Sequence, residues 1–151
     1  MATIIPGSIT PTGMAIRIIY EDTGKDPAED FNHAEIGGAM LIPDVVHDWD
    51  AVKFPANETC KDLMPLTGGP IIYPAQILSE VGYGISPLKH AQATMEEIEA
   101  GRRVFWLNGC FAYRTLGRIH RSGFCFFLRA RYNKPIADWT FKSCPSGFSA
   151  S

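Results

Sequence analysis

The sequence lacks a long apolar run. No stretch approaches the ~20 consecutive apolar residues that a membrane-spanning helix requires. The first residues, MATIIPGSITPTG, also lack the positively charged segment followed by an apolar one that marks a secretory signal. If the protein is exported, we expect this chain to be a mature domain or a fragment from which a signal or anchor was removed. Attachment to a membrane would then require an anchor that is absent from this chain.

Concentrated charge is also missing. Charged residues make up 20% of the 151 residues, and the formal net charge is −2 at pH 7. A general nucleic-acid-binding protein needs a concentrated cationic face, so we expect no nucleic-acid partner. Hydrophobic residues reach 46%, and a chain of this length can bury a core without a structural metal.

Catalytic and metal-binding signatures are absent as well. Ser86 in GISP lacks the GxSxG elbow of serine hydrolases. The stretch PDVVHDWD fits neither a calcium loop nor a helical HExxH motif. We interpret its possible ligands as a solvated acidic loop: Asp44, His47, Asp48 and Asp50. We interpret the isolated His33 and His90 as surface residues. The sequence thus predicts no catalytic residue, metal or cofactor, and we do not expect an enzyme.

Four cysteines are present, namely Cys60, Cys110, Cys125 and Cys144, without a CxxC pair or a histidine at metal-ligand spacing. Zinc is therefore a poor explanation, and the alternatives are two disulfides or four reduced thiols in the core. Two disulfides are the favoured interpretation, and they indicate an oxidising compartment.

The 11 prolines and 14 glycines are spread along the chain, which favours short strands joined by turns. We expect residues 1–13 to form an extended N-terminal arm and residues 14–151 to form one all-β sandwich domain of roughly seven to nine strands. The first strands are predicted at residues 14–20, 34–42, 69–78 and 79–85. In the second of these, Gly37-Gly38 suggests a bulge or a close backbone approach. A short helix at residues 90–100, followed by Gly101, is predicted to connect two sheets.

Residues 43–70 are the least regular part of the chain. Four prolines interrupt them, and a connection of this length is uncommon unless it is packed against the body or functional. Trp49 and Phe54 are the expected anchors, and a disulfide from Cys60 to a strand would fasten the connection.

Residues 103–144 are the predicted centre of the core, a meander of three strands. A two-residue loop at Gly117-Arg118 would place Cys110 opposite Cys125. The next turn, near residues 133–135, would place Cys125 opposite Cys144, within a strand at residues 138–144. Both pairs cannot form bonds at once, so spacing alone leaves the connectivity open. Cationic side chains surround the first turn and predict a partner-binding patch at the hairpin tip: Arg114, Arg118, His120 and Arg121.

Two stretches resemble a group of small proteobacterial proteins. In that group a membrane-anchoring helix precedes an extracytoplasmic β-rich domain with the motif Tyr-x-Asp-x-Phe-Gly-x-x-His-x-Thr-x-Phe-Cys. The hairpin GCFAYRTLGRIHRSGFCFF and the end WTFKSCPSGFSAS are similar to it at Gly117, His120, Ser122 (in place of Thr), Phe124, Cys125 and Cys144. The segment YEDTGKDPA, residues 20–28, is similar to the group's Asn-Thr-Gly-Lys-Thr-Pro-Ala. This chain departs from the group in its shorter spacing before Gly117 and in lacking the anchoring helix.

The resemblance implies an immunoglobulin-like antiparallel β-sandwich that faces the periplasm. It also implies disulfides between Cys125 and Cys144 and between Cys60 and Cys110, but it implies no activity.

Our leading functional hypothesis is a non-enzymatic extracytoplasmic module that binds another protein or the envelope through a sheet edge or the hairpin tip. A second hypothesis is a structural subunit that self-associates or joins a larger assembly through its N-terminal arm or a sheet edge. A hydrolase-type enzyme whose site the sequence does not reveal is the third.

Overall fold

A computed structural model describes residues 1–42, 48–81 and 91–145 of the chain. The seven strands in this part are β1 (Ala2–Thr10), β2 (Gly13–Glu21), β3 (Glu29–Leu41), β4 (Ile77–Val81), β5 (Arg103–Thr115), β6 (Arg118–Arg129) and β7 (Thr140–Ser143). The α-helix α1 spans Ala91–Glu99, and short 3-10 helices lie at Trp49–Ala51 and Ile136–Asp138. Within the described ranges, no helix has the length and apolar character needed to cross a membrane.

The strands form two antiparallel sheets, which confirms the predicted all-β sandwich. The first sheet has the order β1-β2-β4, and the second has the order β3-β5-β6-β7. The orders β1-β2-β4 and β3-β5-β6 match strands A-B-E and C-F-G of an immunoglobulin sandwich, with β7 as an additional strand beside β6. The immunoglobulin-like assignment stays a prediction. Helix α1 follows β4 of the first sheet and precedes β5 of the second, so it is the connector that the sequence predicts.

The N-terminal residues are extended, as expected, but they are not a separate arm. Strand β1 pairs with β2 of the same chain, from Ala2 opposite Tyr20 to Thr10 opposite Gly13. The register shifts between Pro6 and Ser8, and β1 is an edge strand, which is where a sheet tolerates proline. The prolines and glycines that suggested an arm therefore belong to an interrupted edge strand.

The main core lies between the two sheets. On β2 the side chains alternate, so that Ile16, Ile18 and Tyr20 are each 1% exposed, as the sequence pattern predicts. Phe105, Leu107 and Phe111 of β5 belong to the same apolar cluster, as do Met95 and Ile98 of α1. Truncating any of these large side chains to alanine removes contacts that neighbours cannot replace, at a cost of about 2–5 kcal/mol.

Helix α1 ends as its sequence predicts. Gly101 has a φ of +78°, a conformation that glycine adopts without a Cβ penalty. Its N–H donates to the Ile98 carbonyl at 3.1 Å, and the Arg102 N–H donates to the Glu97 carbonyl at 2.9 Å. This pair of bonds is a Schellman motif, which satisfies carbonyls that the helix end leaves free.

The outer face of the second sheet is covered by the irregular connection. Trp49 and Phe54 both pack on Phe127, with ring centroids 5.0 and 4.9 Å apart, so both predicted anchors are confirmed. Cys60 is bonded to Cys110 of β5. Strand β5 is consequently buried on both faces along most of its length.

The hairpin between β5 and β6 has a different register from the predicted one. Its loop is Leu116-Gly117, with φ of 50° and 76°. Positive φ at both central residues identifies a type I′ turn. Cys110 therefore lies opposite Gly123, and Cys125 lies opposite Asn108. The predicted pairing of Cys110 with Cys125 is wrong.

The register between β6 and β7 agrees with the prediction. Leu128 lies opposite Phe141, and Phe126 lies opposite Ser143. One step further, the Cys144 N–H donates to the Cys125 carbonyl at 3.0 Å, and these two cysteines form the second disulfide. Both disulfides that the resemblance implies are present, and such bonds are typical of extracytoplasmic proteins.

Three local expectations need adjustment. A Cβ on Gly37 would lie 2.9 Å from the Trp106 carbonyl oxygen, which confirms the close approach, but the register shift of β3 falls between Glu29 and Asn32. Residues 69–76 form a bridge at Ile72 rather than a strand. The last predicted strand begins only at Thr140, because the 3-10 helix Ile136–Asp138 precedes it.

Candidate functional site

The cationic residues of the hairpin tip lie on opposite faces of the second sheet. Strand alternation and the register put Arg114 and Arg121 on the outer face, and Arg118 and His120 on the side of the first sheet. The Arg114 Nε lies 3.3 Å from Asp30 Oδ2, and the Arg121 Nε donates to the Leu63 carbonyl at 2.5 Å. The four residues thus do not form one continuous patch, and their role in binding a partner stays a prediction.

A cleft of about 290 Å³ opens between the sheets beneath the same tip. One wall is formed by the hairpin through Phe111, Tyr113 and His120, and another by the turn at residues 21–26. Phe31 of β3 also lines it. The two stretches that carry the family resemblance, residues 20–28 and the hairpin, therefore meet at this cleft, although they are far apart in sequence.

The Asp22 carboxylate is held in place by the turn. Its Oδ1 accepts a hydrogen bond from the Gly24 N–H at 2.8 Å, and its carbonyl accepts one from the Ala75 N–H at 3.0 Å. The other carboxylate oxygen, Oδ2, is buried and has no hydrogen-bond partner among the described residues. Buried polar atoms are normally paired, so this oxygen is a candidate acceptor for a donor that the chain does not supply.

The hairpin wall of the cleft is flat and aromatic. The rings of Tyr113 and His120 are stacked, with centroids 5.2 Å apart and planes 20° from parallel. Burial, and secondly the negative charge of Asp22, raise the pKa of the Tyr113 hydroxyl above its ordinary value. Tyr113 therefore stays neutral across the physiological pH range. The sequence did not single out Asp22, because Asp22 and His120 line the same cleft only once the sheets are packed.

A second group of polar side chains links the sheets away from solvent. Tyr20 of β2 donates to the Glu35 carboxylate of β3, and His33 Nδ1 lies 2.5 Å from the same oxygen. The Glu35 side chain is 7% exposed and that of His33 is 28% exposed. His33 is therefore a partly buried partner of Glu35 and not the surface histidine that we expected. Both Tyr20 and His33 are directed at the one buried carboxylate of Glu35. We therefore interpret these three side chains as a structural link between the sheets and not as a reacting site.

The open edge of β3 is the third feature. Within the described ranges β3 pairs with β5 alone. The Ile42 N–H donates to the Arg102 carbonyl at 3.0 Å, and these residues lie in the same register as β3 and β5. Because hydrogen-bonded pairs alternate in an antiparallel ladder, the even-numbered residues of β3 bond to β5. The odd-numbered residues direct their N–H and C=O groups away from it.

Two further hydrogen bonds support the outward direction of the backbone groups of the odd-numbered β3 residues. The Phe31 N–H donates to the Pro70 carbonyl at 3.0 Å, and the Ala39 carbonyl accepts from Arg103 Nη1 at 3.2 Å. The His33 N–H donates to the Asn32 side chain at 3.0 Å. The remaining outward backbone groups lie in the sequence EIGGAML, residues 35–41, which contains no lysine, arginine or proline. Its Ile36 and Leu41 are 54% and 68% exposed.

The acidic stretch shows no metal centre in the described part of the chain. Asp48 Oδ1 accepts from the Asp50 N–H at 3.0 Å and so caps the 3-10 helix Trp49–Ala51. Asp44 and His47 lie outside the described residues, as does His90. Among those described, no group of three or more histidine, cysteine or acidic side chains is placed to hold a metal ion.

The fold and these surfaces define a disulfide-bonded β-sandwich protein. Comparison of the chain with protein-family models, curated proteins and solved structures found no match. The resemblance to the proteobacterial group stays a prediction.

Proposed function

We propose that the protein is a non-enzymatic extracytoplasmic module that binds an extended segment of another protein along the edge of β3. The observation that carries the proposal is the outward backbone of residues 35–41, which lies between exposed apolar side chains. An extended peptide that adds a strand to such an edge gains affinity from main-chain hydrogen bonds and specificity from alternate side chains.

Comparison of the sheet edges favours β3. Strand β1 carries Pro6 and a register shift, β4 has five residues and β7 has four. Natural proteins protect sheet edges by such means, namely proline, bulges, short length and charge. Strand β3 has 13 residues, and its second half contains no proline and no register shift; Glu35 is directed inward to Tyr20, and Arg103 bonds to the Ala39 carbonyl. An edge with so few protective features over that length is consistent with one that receives a partner.

The two disulfides support a location outside the cytoplasm, and the periplasm is the compartment we propose. Disulfides form and persist in oxidising compartments and are rare in the cytosol. The partner would then be another protein of the cell envelope.

The test is site-specific photo-crosslinking in the cell that naturally makes the protein. A benzophenone amino acid replaces Leu41 at the edge or, as a control, Leu116, which is 81% exposed but lies in the hairpin turn. We expect Leu41 to crosslink to one segment of another protein, and Ile36→Lys in the same chain to abolish this product because charge blocks an edge. Equal products from both positions, or no product with another protein, would overturn the proposal.

A structural subunit is the second candidate function, with β3 of a second copy as the added strand. The observation that favours it is that Gly37 and Ala39, the smallest residues whose backbone groups face outward, lie in the middle of this edge. Two antiparallel copies can place these two residues opposite each other, with Glu35 opposite Leu41. Crosslinks from position 41 only to the protein's own β3, together with a dimeric mass in solution, would select this candidate over the first.

A further inference from the structure

The cleft beneath the hairpin tip has features that strand addition at β3 does not use. We propose that it binds a guanidinium cation, either an arginine side chain of a peptide or a free guanidino compound. The proposal concerns the end of the sandwich where β2 enters the turn at residues 21–26, whereas the edge of residues 35–41 lies further along β3.

A flat aromatic wall and a fixed carboxylate line the same cleft. The stacked rings of Tyr113 and His120 form the wall. Asp22 lies in the turn across from the hairpin, and the Gly24 N–H holds one of its oxygens at 2.8 Å. A guanidinium is planar, stacks on aromatic rings and donates several hydrogen bonds to a carboxylate.

Asp22 Oδ2 is buried without a hydrogen-bond partner in the described part of the chain. A carboxylate oxygen in this state favours a donor that also carries positive charge, because a charge-assisted hydrogen bond is roughly twice as strong as a neutral one.

The turn beside the cleft carries more acidic than cationic side chains. The turn brings Glu21, Asp22 and Asp26 to the lining, whereas Lys25 is the cationic side chain of the same turn. Met1 also lines the cleft, and its amino group donates to the Glu21 carbonyl at 2.8 Å. Burial has the larger effect on that amino group and lowers its pKa below the ordinary value, whereas the Asp22 and Glu21 carboxylates act in the opposite direction because they attract positive charge.

The volume of the cleft limits the size of the ligand. A cleft of about 290 Å³ is at the lower limit of ligand pockets, so it accepts one side chain or a small molecule rather than a folded segment. Phe31 and Phe111 also line the cleft and would contact the alkyl part of the ligand while the guanidinium meets Asp22.

The experiment is a titration of the isotope-labelled full chain with ethylguanidinium, followed by NMR. We expect saturable shifts at Gly24, Tyr113 and His120, with a dissociation constant of about 1 mM as for a small fragment. Butylammonium should bind more weakly because it cannot stack. The tripeptide acetyl-Gly-Arg-Gly-amide distinguishes the sources: tighter binding than ethylguanidinium assigns the site to a peptide, and equal binding assigns it to a free compound.

The decisive variant is Asp22→Asn, which removes the charge but keeps the oxygen that accepts from Gly24. It should weaken binding of ethylguanidinium about tenfold, as expected for a lost charge-assisted bond. Asp50→Asn makes the same change in charge at an exposed site outside the cleft and should have no effect. Tyr113→Leu removes half of the aromatic wall and serves as a second variant if Asp22→Asn fails to fold. Absence of saturable shifts, or equal binding by the Asp22→Asn and Asp50→Asn variants, would overturn the proposal.

Discussion

Tyr20 on β2 donates a hydrogen bond to the Glu35 carboxylate on β3, and this bond joins the two sheets across the core. Tyr20 is 1% exposed, and the Glu35 side chain is 7% exposed. Because a buried hydroxyl or carboxylate without a partner is costly, the bond stabilises the position of β3 relative to β2. It also directs the Glu35 side chain inward while the Glu35 backbone faces outward.

Removal of this carboxylate should destabilise the fold. Glu35→Ala removes the carboxylate that accepts from the buried Tyr20 hydroxyl and lies beside His33, and we expect a loss of about 1–3 kcal/mol in the free energy of unfolding. Glu29→Ala changes an exposed glutamate of the same strand and should stay within about 0.5 kcal/mol of the parent protein. Urea unfolding measures both variants. Equal losses would show that the bond between the sheets contributes nothing measurable.

The two disulfides should contribute unequally to the free energy of unfolding. They close loops with sequence separations of 50 residues for Cys60–Cys110 and 19 for Cys125–Cys144. The chain-entropy relation then predicts contributions of about 4 and about 3 kcal/mol, respectively. Replacing each pair by alanine and measuring urea unfolding under non-reducing conditions tests the order. A larger loss from the Cys125–Cys144 pair would contradict it.

Two adjacent glycines of β3 offer a matched pair of substitutions. A Cβ on Gly37 would lie 2.9 Å from the Trp106 carbonyl oxygen, whereas a Cβ on Gly38 would have its nearest neighbour at 3.7 Å. Gly37→Ala should therefore cost about 1–3 kcal/mol through overpacking against backbone. Gly38→Ala should be neutral, or stabilising by up to about 1 kcal/mol because alanine has less freedom when unfolded. Thermal unfolding that ranks Gly38→Ala as the more damaging change would refute the placement of β3 against β5.

The stability of the folded protein should depend on pH through Tyr113, and the direction of its pKa shift gives the sign of that dependence. Its pKa is raised in the folded protein by burial and then by Asp22, so the unfolded chain releases this proton at a lower pH than the folded one. The stability that Tyr113 contributes is therefore complete below a pH of about 10, the ordinary tyrosine value, and is lost as the pH rises through the folded pKa.

Tyr113→Phe should make the decline in stability above a pH of about 10 less steep. Asp22→Asn should lower the Tyr113 pKa without returning it to the ordinary value, because burial is the larger cause. Unfolding curves at several pH values and the NMR titration of the ring measure these effects. A Tyr113 pKa unchanged by Asp22→Asn would exclude the electrostatic contact.

Local patterns predicted much of the fold. Alternation on β2 located Ile16, Ile18 and Tyr20 in the core, and the β6–β7 turn gave the register that brings Cys125 to Cys144. The helix end at Gly101 followed from the left-handed conformation that glycine permits. Each of these features depends on neighbours a few residues away or across one turn.

The failures have physical reasons of two kinds. Leu116 takes a positive φ that leucine seldom adopts, so the hairpin loop begins one residue earlier than glycine alone suggests. Strand β1 was missed because Pro6 suggested an arm, although an edge strand tolerates it. The meeting of Asp22 and the hairpin at one cleft and the bond of Tyr20 to Glu35 depend on which faces of two sheets meet. Strand alternation identifies such a face but does not specify what packs against it.

Residue-resolved amide hydrogen exchange in β3 of the isolated protein tests the open edge most directly. We predict slow exchange at Ala34, Ile36, Gly38 and Met40, whose N–H groups bond to β5, and fast exchange at Glu35, Gly37, Ala39 and Leu41, whose N–H groups face outward. This alternation would show an edge available to a partner strand. Equal protection of both sets in the monomer would mean that the edge is already covered, and would contradict the proposal that β3 receives an extended segment of another protein.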